Sequence, residues 1–260
     1  MKKRVTACML AALVLAAGCG NSGQPSGSVS ESSEENVQET ETEEQPYQVE
    51  MVNYAKSDLV DINYPQITGW SNEEKQQEWN EIFEDAAIQM AGGMTGDTEE
   101  SPLGENDSVS MTFTVEEQSD ELLSLTCHTY YAYEGAAHPS AALTSYNIDM
   151  QTGEKVTFAD MADPEQTAAL LFDGTEGYTL LDAEGSPSGE ITMRDVLEYN
   201  FIWMEPTQEA LAASLSHFDG GVEDYAENET MGYSYRRDGT VCLIFYVNHV
   251  MGDYVIVELE

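Results

Sequence analysis

The stretch from Tyr130 to Gly153 reads TyrTyrAlaTyrGluGlyAlaAlaHisProSer and runs on through AlaAlaLeuThrSerTyrAsnIleAspMetGlnThrGly. Aromatic and β-branched residues alternate on both sides of a Gly-Ala-Ala-His-Pro connection, which predicts two strands joined by a loop, the second ending in a Thr-Gly turn. Working outward, Val109, Met111, Phe113 and Val115 alternate with Ser and Thr ahead of the strand from Leu122 to Tyr133. After the connection, Tyr146, Ile148 and Met150 take one side while Ser145, Asn147 and Asp149 take the other. Three consecutive strands of this kind predict an antiparallel meander with one wet face.

Upstream, LeuValAspIleAsnTyrProGlnIleThrGly (Leu59 to Gly69) reads as a strand whose run ends at the Tyr64-Pro65 step. A helix follows, with Ser71 and Glu74 placed as a capping box and Trp79, Ile82, Phe83, Ala86 and Met90 on one face. Gly92 and Gly93 are its stop. Downstream, the spacing predicts a short helix from Glu165 to Phe172 and two more, Thr192 to Met204 and Thr207 to His217, divided at Pro206. The Gly- and Ser-rich run from Asp173 to Gly189 has no readable period. Strands close the chain: Met231 to Arg236, an Asp238-Gly239 turn, Val241 to Val247, and Tyr254 to Leu259. No fixed period repeats, so a solenoid is not expected. The expected class is α+β, an antiparallel sheet with helices packed on one face.

The amino terminus has the layout of an export signal. Lys2 to Arg4 precede an apolar run from Val5 to Ala17, too short to span a bilayer, and then AlaAlaGlyCys. Small residues before Cys19, with Leu15 upstream, resemble a bacterial lipobox. That resemblance implies a signal peptide of residues 1–18, cleavage before Cys19 and lipidation of it. Residues 19–46 are rich in Ser, Gly, Gln and Glu, a composition that cannot bury enough apolar surface to order itself, and are read as a disordered acidic tether. Residues 47–120 and 121–260 are read as two parts of one folded unit.

Nine basic residues stand against 49 acidic ones, for a formal net charge of −40, and three of the nine lie in the first four residues. Binding to nucleic acid or an anionic membrane surface depends on Lys and Arg, so both are excluded as partners beyond the anchor itself. A cationic partner is favoured.

Catalytic motifs are missing: no Gly-x-Ser-x-Gly, no His-Glu-x-x-His, no Cys-x-x-Cys, no phosphate loop. Acidic clusters at Asp219 to Glu229 and Asp160 to Glu165 lack the spacing of a calcium loop and read as solvated faces. No cofactor or metal is expected. His138, with Tyr131, Tyr133 and Glu134 on the central connection, is the candidate recognition surface, because tyrosine offers an apolar body with a polar tip at low entropic cost. The bland alternative is that His138-Pro139 only shapes the turn and the tyrosines cover the sheet. His128, at strand spacing, reads as a sheet residue. Cys127 and Cys242 lie in apolar strands and read equally well as buried thiols or as a disulfide; the latter would close a loop of about 115 residues and stabilise by roughly 4–5 kcal/mol.

The order of these features resembles the extracytoplasmic PdaC/RsiV-like family, found in a peptidoglycan deacetylase and in an anti-sigma factor that senses lysozyme. IleAsnTyrProGlnIleThrGly (Ile62 to Gly69) with the Trp79 to Ile88 helix is similar to its amino-terminal half. TyrTyrAlaTyrGluGlyAlaAlaHisPro, Ser145 to Lys155 and PheAlaAspMet (Phe158 to Met161) are similar to the start of its carboxy-terminal half, and Val241 to Leu259 to its closing strands. Ala136 replaces a glycine common there, and the connection from Val247 to Asp253 is shorter and lacks the usual Tyr and Pro. The resemblance implies a stand-alone sensing or binding lipoprotein on the outer side of a Gram-positive cell membrane, non-catalytic, with a lysozyme-like cationic protein or a cell-wall (peptidoglycan) fragment as ligand. The alternatives are a peptidoglycan-acting enzyme using a carboxylate pair, and a structural or assembly lipoprotein.

Overall fold

The strands lie in two stacked sheets, and the second covers the face of the first that the alternation assigns to water. The computed structural model describes residues 46–57, 59–91, 104–173, 176–189, 191–202, 205–221, 225 and 229–260. Residues 43–260 form one compact unit. The expected signal peptide of residues 1–18, Cys19 and all of the expected tether but Pro46 lie outside the described residues, as do Gly92 and Gly93.

The first sheet has the order β1 (Gln48–Lys56), β2 (Val60–Thr68), β3 (Ser108–Gln118), β4 (Leu122–Ala132), β5 (Ser140–Asp149). β3, β4 and β5 form the expected antiparallel meander. β2 meets β3 in parallel over Val60 to Ile62 only, a register that no hairpin signal announces. Beyond Ile62 that side of β2 is open, which is why the strand continues through Pro65 to Thr68 rather than ending there. Along a strand, alternate N–H groups point the same way, and the Ile67 N–H points to the Asn80 side chain rather than to β1. The missing N–H of Pro65 therefore falls on this open side and costs no ladder bond. Asn80 both accepts from Ile67 N (2.7 Å) and donates to Ile67 O (2.9 Å), doing for the exposed edge what a further strand would do.

α1 (Glu73–Ala91) packs on the outer face of this sheet. Asn72, not Ser71, caps it, accepting from Lys75 N at 3.2 Å. Trp79, Phe83, Ala87 and Met90 are buried, whereas Ile82 is exposed, so the apolar face is rotated slightly from the expected one. Phe83 sits edge-on to Phe113 and Tyr146, 5.7 and 5.4 Å between ring centres. Trp70 and Trp79 donate their indole N–H groups to Met150 O and Gly153 O, 2.9 Å each, tying α1 and its lead-in to the turn after β5.

The second sheet has the order β6 (Tyr178–Leu181), β9 (Tyr254–Leu259), β8 (Thr240–Tyr246), β7 (Gly232–Arg237), antiparallel throughout. Asp238 and Gly239 both have positive φ (49° and 81°), the two-residue turn that matches strand twist. β6 comes from the stretch that has no readable period. On the outer face pack α2 (Phe158–Met161), α3 (Pro164–Asp173), α4 (Met193–Asn200) and α5 (Gln208–Ser216), closing a core around Phe218, Leu243, Phe245, Val255 and Val257. The class is thus α+β with predominantly antiparallel sheets, helices covering one face of each.

Between the sheets, Leu143, Tyr235, Cys242, Ile244 and Ile256 form an apolar patch. Beside it runs a buried polar seam. Ser124 donates to Asn147 Oδ1 (2.7 Å); Ser145 and Asn147 both donate to Ser234 O (2.6 and 2.7 Å); Arg236 N donates to Ser124 Oγ (2.9 Å). Asp219, 1% exposed, accepts from Ser234 N (2.8 Å), Ser234 Oγ and Ser145 Oγ (3.1 Å), and its carbonyl accepts from Lys155 Nζ. The meander's supposed wet face is therefore dry over Ser124, Thr126, Ser145 and Asn147, and Asp219 is no solvated acid. At the rim, Arg236 grips Glu117 through Nε (2.9 Å to each oxygen), and Arg237 reaches Glu116 (2.7 Å).

Cys127 and Cys242 are free and buried. Cys127 points into the core under α1, whereas Cys242 points into the seam between sheets, so the thickness of the first sheet separates them and the disulfide is not formed. Burial pushes the thiols up to about 12 and about 11, which keeps them as inert thiols. In the unit 43–260, reduction is expected to leave the intact mass unchanged, with two thiols reacting with a thiol reagent only after denaturation. A mass gain of two protons on reduction would contradict this arrangement.

Candidate functional site

Two hairpin connections meet at one end of the stacked sheets: residues 133–139 between β4 and β5, and residues 247–253 between β8 and β9. Ala141 N donates to Asp253 Oδ2 at 3.1 Å across the two loops. The second loop is shaped by its own sequence. Asn248 accepts from Met251 N (3.1 Å) over a short 3-10 turn, His249–Met251, and Gly252 at φ 103° and Asp253 at φ 71° bring the chain back into β9. His249 is thereby laid flat on His138, with ring centres 3.6 Å apart and planes within 3°.

Both rings are held from one side. His138 Nδ1 lies 3.0 Å from Pro139 O, and His249 Nδ1 lies 3.1 and 3.2 Å from the two oxygens of Asp253. A carbonyl and a carboxylate only accept, so a proton belongs on each Nδ1, and in the neutral ring Nε2 is the acceptor. Val250, 95% exposed, stands at the tip of the same loop.

The other candidate residues form a second group. Tyr131 and Tyr133 stack at 5.9 Å with planes 16° apart, and desolvation raises the Tyr131 phenol above its ordinary range. Glu134 is fixed through its backbone N–H to Asp107 (2.8 Å) and through its carboxylate, which accepts from Asn106 (3.0 Å). So the four residues singled out from the sequence divide: Tyr131, Tyr133 and Glu134 stand with the loop before β3, and His138 stands with His249 and Asp253. The last two were missed by sequence reading, since residues 247–253 stand out there only as a short connection that departs from the family. His128 is a sheet residue, edge-on to Tyr254 at 6.2 Å.

Five of the cations among the described residues have acidic or carbonyl partners. Lys75 pairs with Glu78 and Glu154, Arg194 with Glu198, Arg236 with Glu117, Arg237 with Glu116, and Lys155 with the Asp219 carbonyl. The surplus carboxylates are left to solvent. Asp160 and Asp163 serve as local caps, accepting from Thr157 N and from Glu165 N and Gln166 N. Among the described residues no three His, Cys, Asp or Glu side chains converge as a metal site. No described helix is long and apolar enough to cross a membrane.

Residues 53–141, from β1 through the first candidate loop, match the family described as Deacetylase PdaC. No curated protein matches the chain. Among solved structures, a DUF3298 family protein from Pseudomonas aeruginosa PAO1 is 16% identical with a TM-score of 0.33, over 50% of this chain and 68% of that one. A DUF3298 family member from Bacteroides fragilis is 14% identical with a TM-score of 0.31, over 49% and 66%. The match over residues 53–141 bears out the PdaC resemblance that the motifs from Ile62 to Pro139 led us to expect.

Proposed function

We propose that this is a non-catalytic envelope lipoprotein, anchored through Cys19, whose acidic domain binds a lysozyme-like cationic protein or a cell-wall component outside the cell. The observation that carries this reading is the convergence of two loops from different sheets on the exposed His138–His249 stack, with the Tyr131–Tyr133 stack on the same β4–β5 turn. Paired rings held by backbone and carboxylate partners lose little freedom on binding, which lowers the cost of recognition. The net charge of −40 steers a basic partner toward the domain.

Steering alone is not recognition. The test is binding of the unit 43–260 to lysozyme and to an unrelated protein of similar positive charge, at about 0.15 M and 0.5 M salt, where the screening length falls from about 8 Å toward that of a single contact. Lysozyme binding that survives the higher salt, and falls by about tenfold in His138→Ala or Tyr133→Ala, is expected. Equal binding of both proteins that vanishes with salt would reduce the charge to a coat and move the search to cell-wall fragments. Turnover of purified cell wall, lost on one carboxylate-to-amide change, would replace this reading with an enzyme.

A further inference from the structure

A second concavity lies far from the loops in sequence and is built by other elements. A cleft of about 430 Å³ opens between α3, β6 and α4. That volume is within the range of about 300–1,000 Å³ usual for small-molecule sites. Its floor is Leu171, Met193 and Leu197, all buried, and two aromatic residues flank it, Phe172 at 39% exposure and Tyr178 half-buried. A large exposed aromatic beside an apolar floor is the costly part of this surface, and a ligand that covers it recovers that cost.

Charge at the mouth decides which ligand. The amino terminus of α4 points at the cleft, and a bare helix start would favour an anion. Here it is already answered: Asp195 accepts from Thr192 N at 2.8 Å, and Thr192 Oγ1 accepts from Asp195 N at 3.3 Å. The remaining charges are Arg194, Glu198 and Glu205. Arg194 Nε lies 2.7 Å from Glu198 Oε1, which closes that pair. Glu205 is exposed, and Arg194 attracts it along with Glu198 and Asp195. Among the described lining residues two carboxylates, Glu198 and Glu205, share the one cation Arg194 beside two aromatic rings, and aromatic faces themselves attract cations.

We propose that this cleft binds a small organic cation, an aralkylammonium in size and chemistry, with its ring on the Leu171–Leu197 floor and its ammonium between Phe172, Tyr178 and Glu205. An anion is disfavoured by the capped helix and the surplus of carboxylate over Arg194. A neutral analogue fills the floor but leaves that surplus as it is.

The test is an NMR titration of amide resonances in the whole chain with phenethylammonium, 2-phenylethanol and 3-phenylpropionate, which share a ring and differ in charge. The ammonium is expected to bind at least tenfold more tightly than the alcohol, with no saturable binding of the carboxylate, and to shift amides of residues 171–173 and 192–198. Phe172→Ala is expected to weaken the ammonium at least fivefold, and Glu205→Gln to bring ammonium and alcohol within about twofold of each other. Both positions are exposed, so neither change threatens folding. Equal binding of the three probes, a preference for the ammonium that persists in Phe172→Ala, or shifts spread over the acidic surface and abolished by 0.5 M salt would overturn the proposal.

Discussion

Gly232→Ala is expected to destabilise the protein by about 2–3 kcal/mol, read as a lower urea midpoint with an unchanged slope. The backbone there is ordinary extended β7, so the cost is not conformational. A Cβ at this position would overlap the outer edge of the Phe218 ring. That ring has nowhere to go: it is fully buried, inclined at 64° to Phe245 at 5.3 Å, and tilted on Phe158 at 6.4 Å. Gly232 O also accepts from Asp219 N at 3.1 Å, so any shift of β7 strains the buried seam. Combining Gly232→Ala with Phe218→Leu is expected to cost less than the sum of the two single changes, because the smaller side chain makes the room the methyl needs. Additive losses would show that the methyl meets something other than Phe218.

The second large effect is at Asp219. Desolvation by burial raises its carboxyl from the usual range to about 6, against the opposing pull of Ser234, Ser145 and Lys155. A native pKa above the unfolded value means that the folded protein holds this proton more tightly. Stability from this group is therefore fully present below about pH 4 and declines as pH rises toward about 6, a loss on the order of 2–3 kcal/mol. Glu117, held below the ordinary carboxylate range by Arg236, acts in the opposite sense, so the whole protein's profile mixes both. The difference between wild type and Asp219→Asn isolates the first. Asparagine tolerates the φ of 68° and keeps one acceptor for the Ser234 N–H. Its advantage over wild type is expected to grow between pH 4 and pH 6.5 in urea titrations, and a difference that stays flat with pH would refute the buried, proton-holding carboxyl. Asp219→Ala should lose about 3 kcal/mol near pH 4 and less as pH rises toward about 6.5, since it leaves the buried N–H and hydroxyl of Ser234 without their acceptor.

Seven strands, the long helix and the Asp238-Gly239 turn were legible in the sequence because each is written in a local period or a short turn code, whereas β1 and β6 were not read. The stacking of two sheets was not. Alternating Ser, Thr and Asn on β4 and β5 look the same whether they face water or a second polar surface, and only Ser234 and Asp219, 87 or more and 74 residues away from their partners, distinguish the two. The parallel meeting of β2 and β3 is silent for a like reason: three residue pairs leave no pattern. At the candidate site, Tyr131, Tyr133 and Glu134 were found because they lie on one hairpin. His249 was not, because what makes it a neighbour of His138 is the packing of one sheet on the other. The cleft was hidden in part because one wall, Tyr178, belongs to the stretch without a period.

That seam has a consequence for how the molecule presents itself. Two greasy sheets can slide over each other in small steps, each offset nearly as good as the next. A seam in which Ser145 and Asn147 share one carbonyl and Asp219 collects three donors has a single setting, because any offset breaks several bonds at once. The loop bearing His138 springs from one sheet and the loop bearing His249 from the other. The spacing between them is thus fixed like the jaws of a locked calliper, and what is measured there is decided more than 100 residues upstream of one jaw, at Ser124 and Ser145.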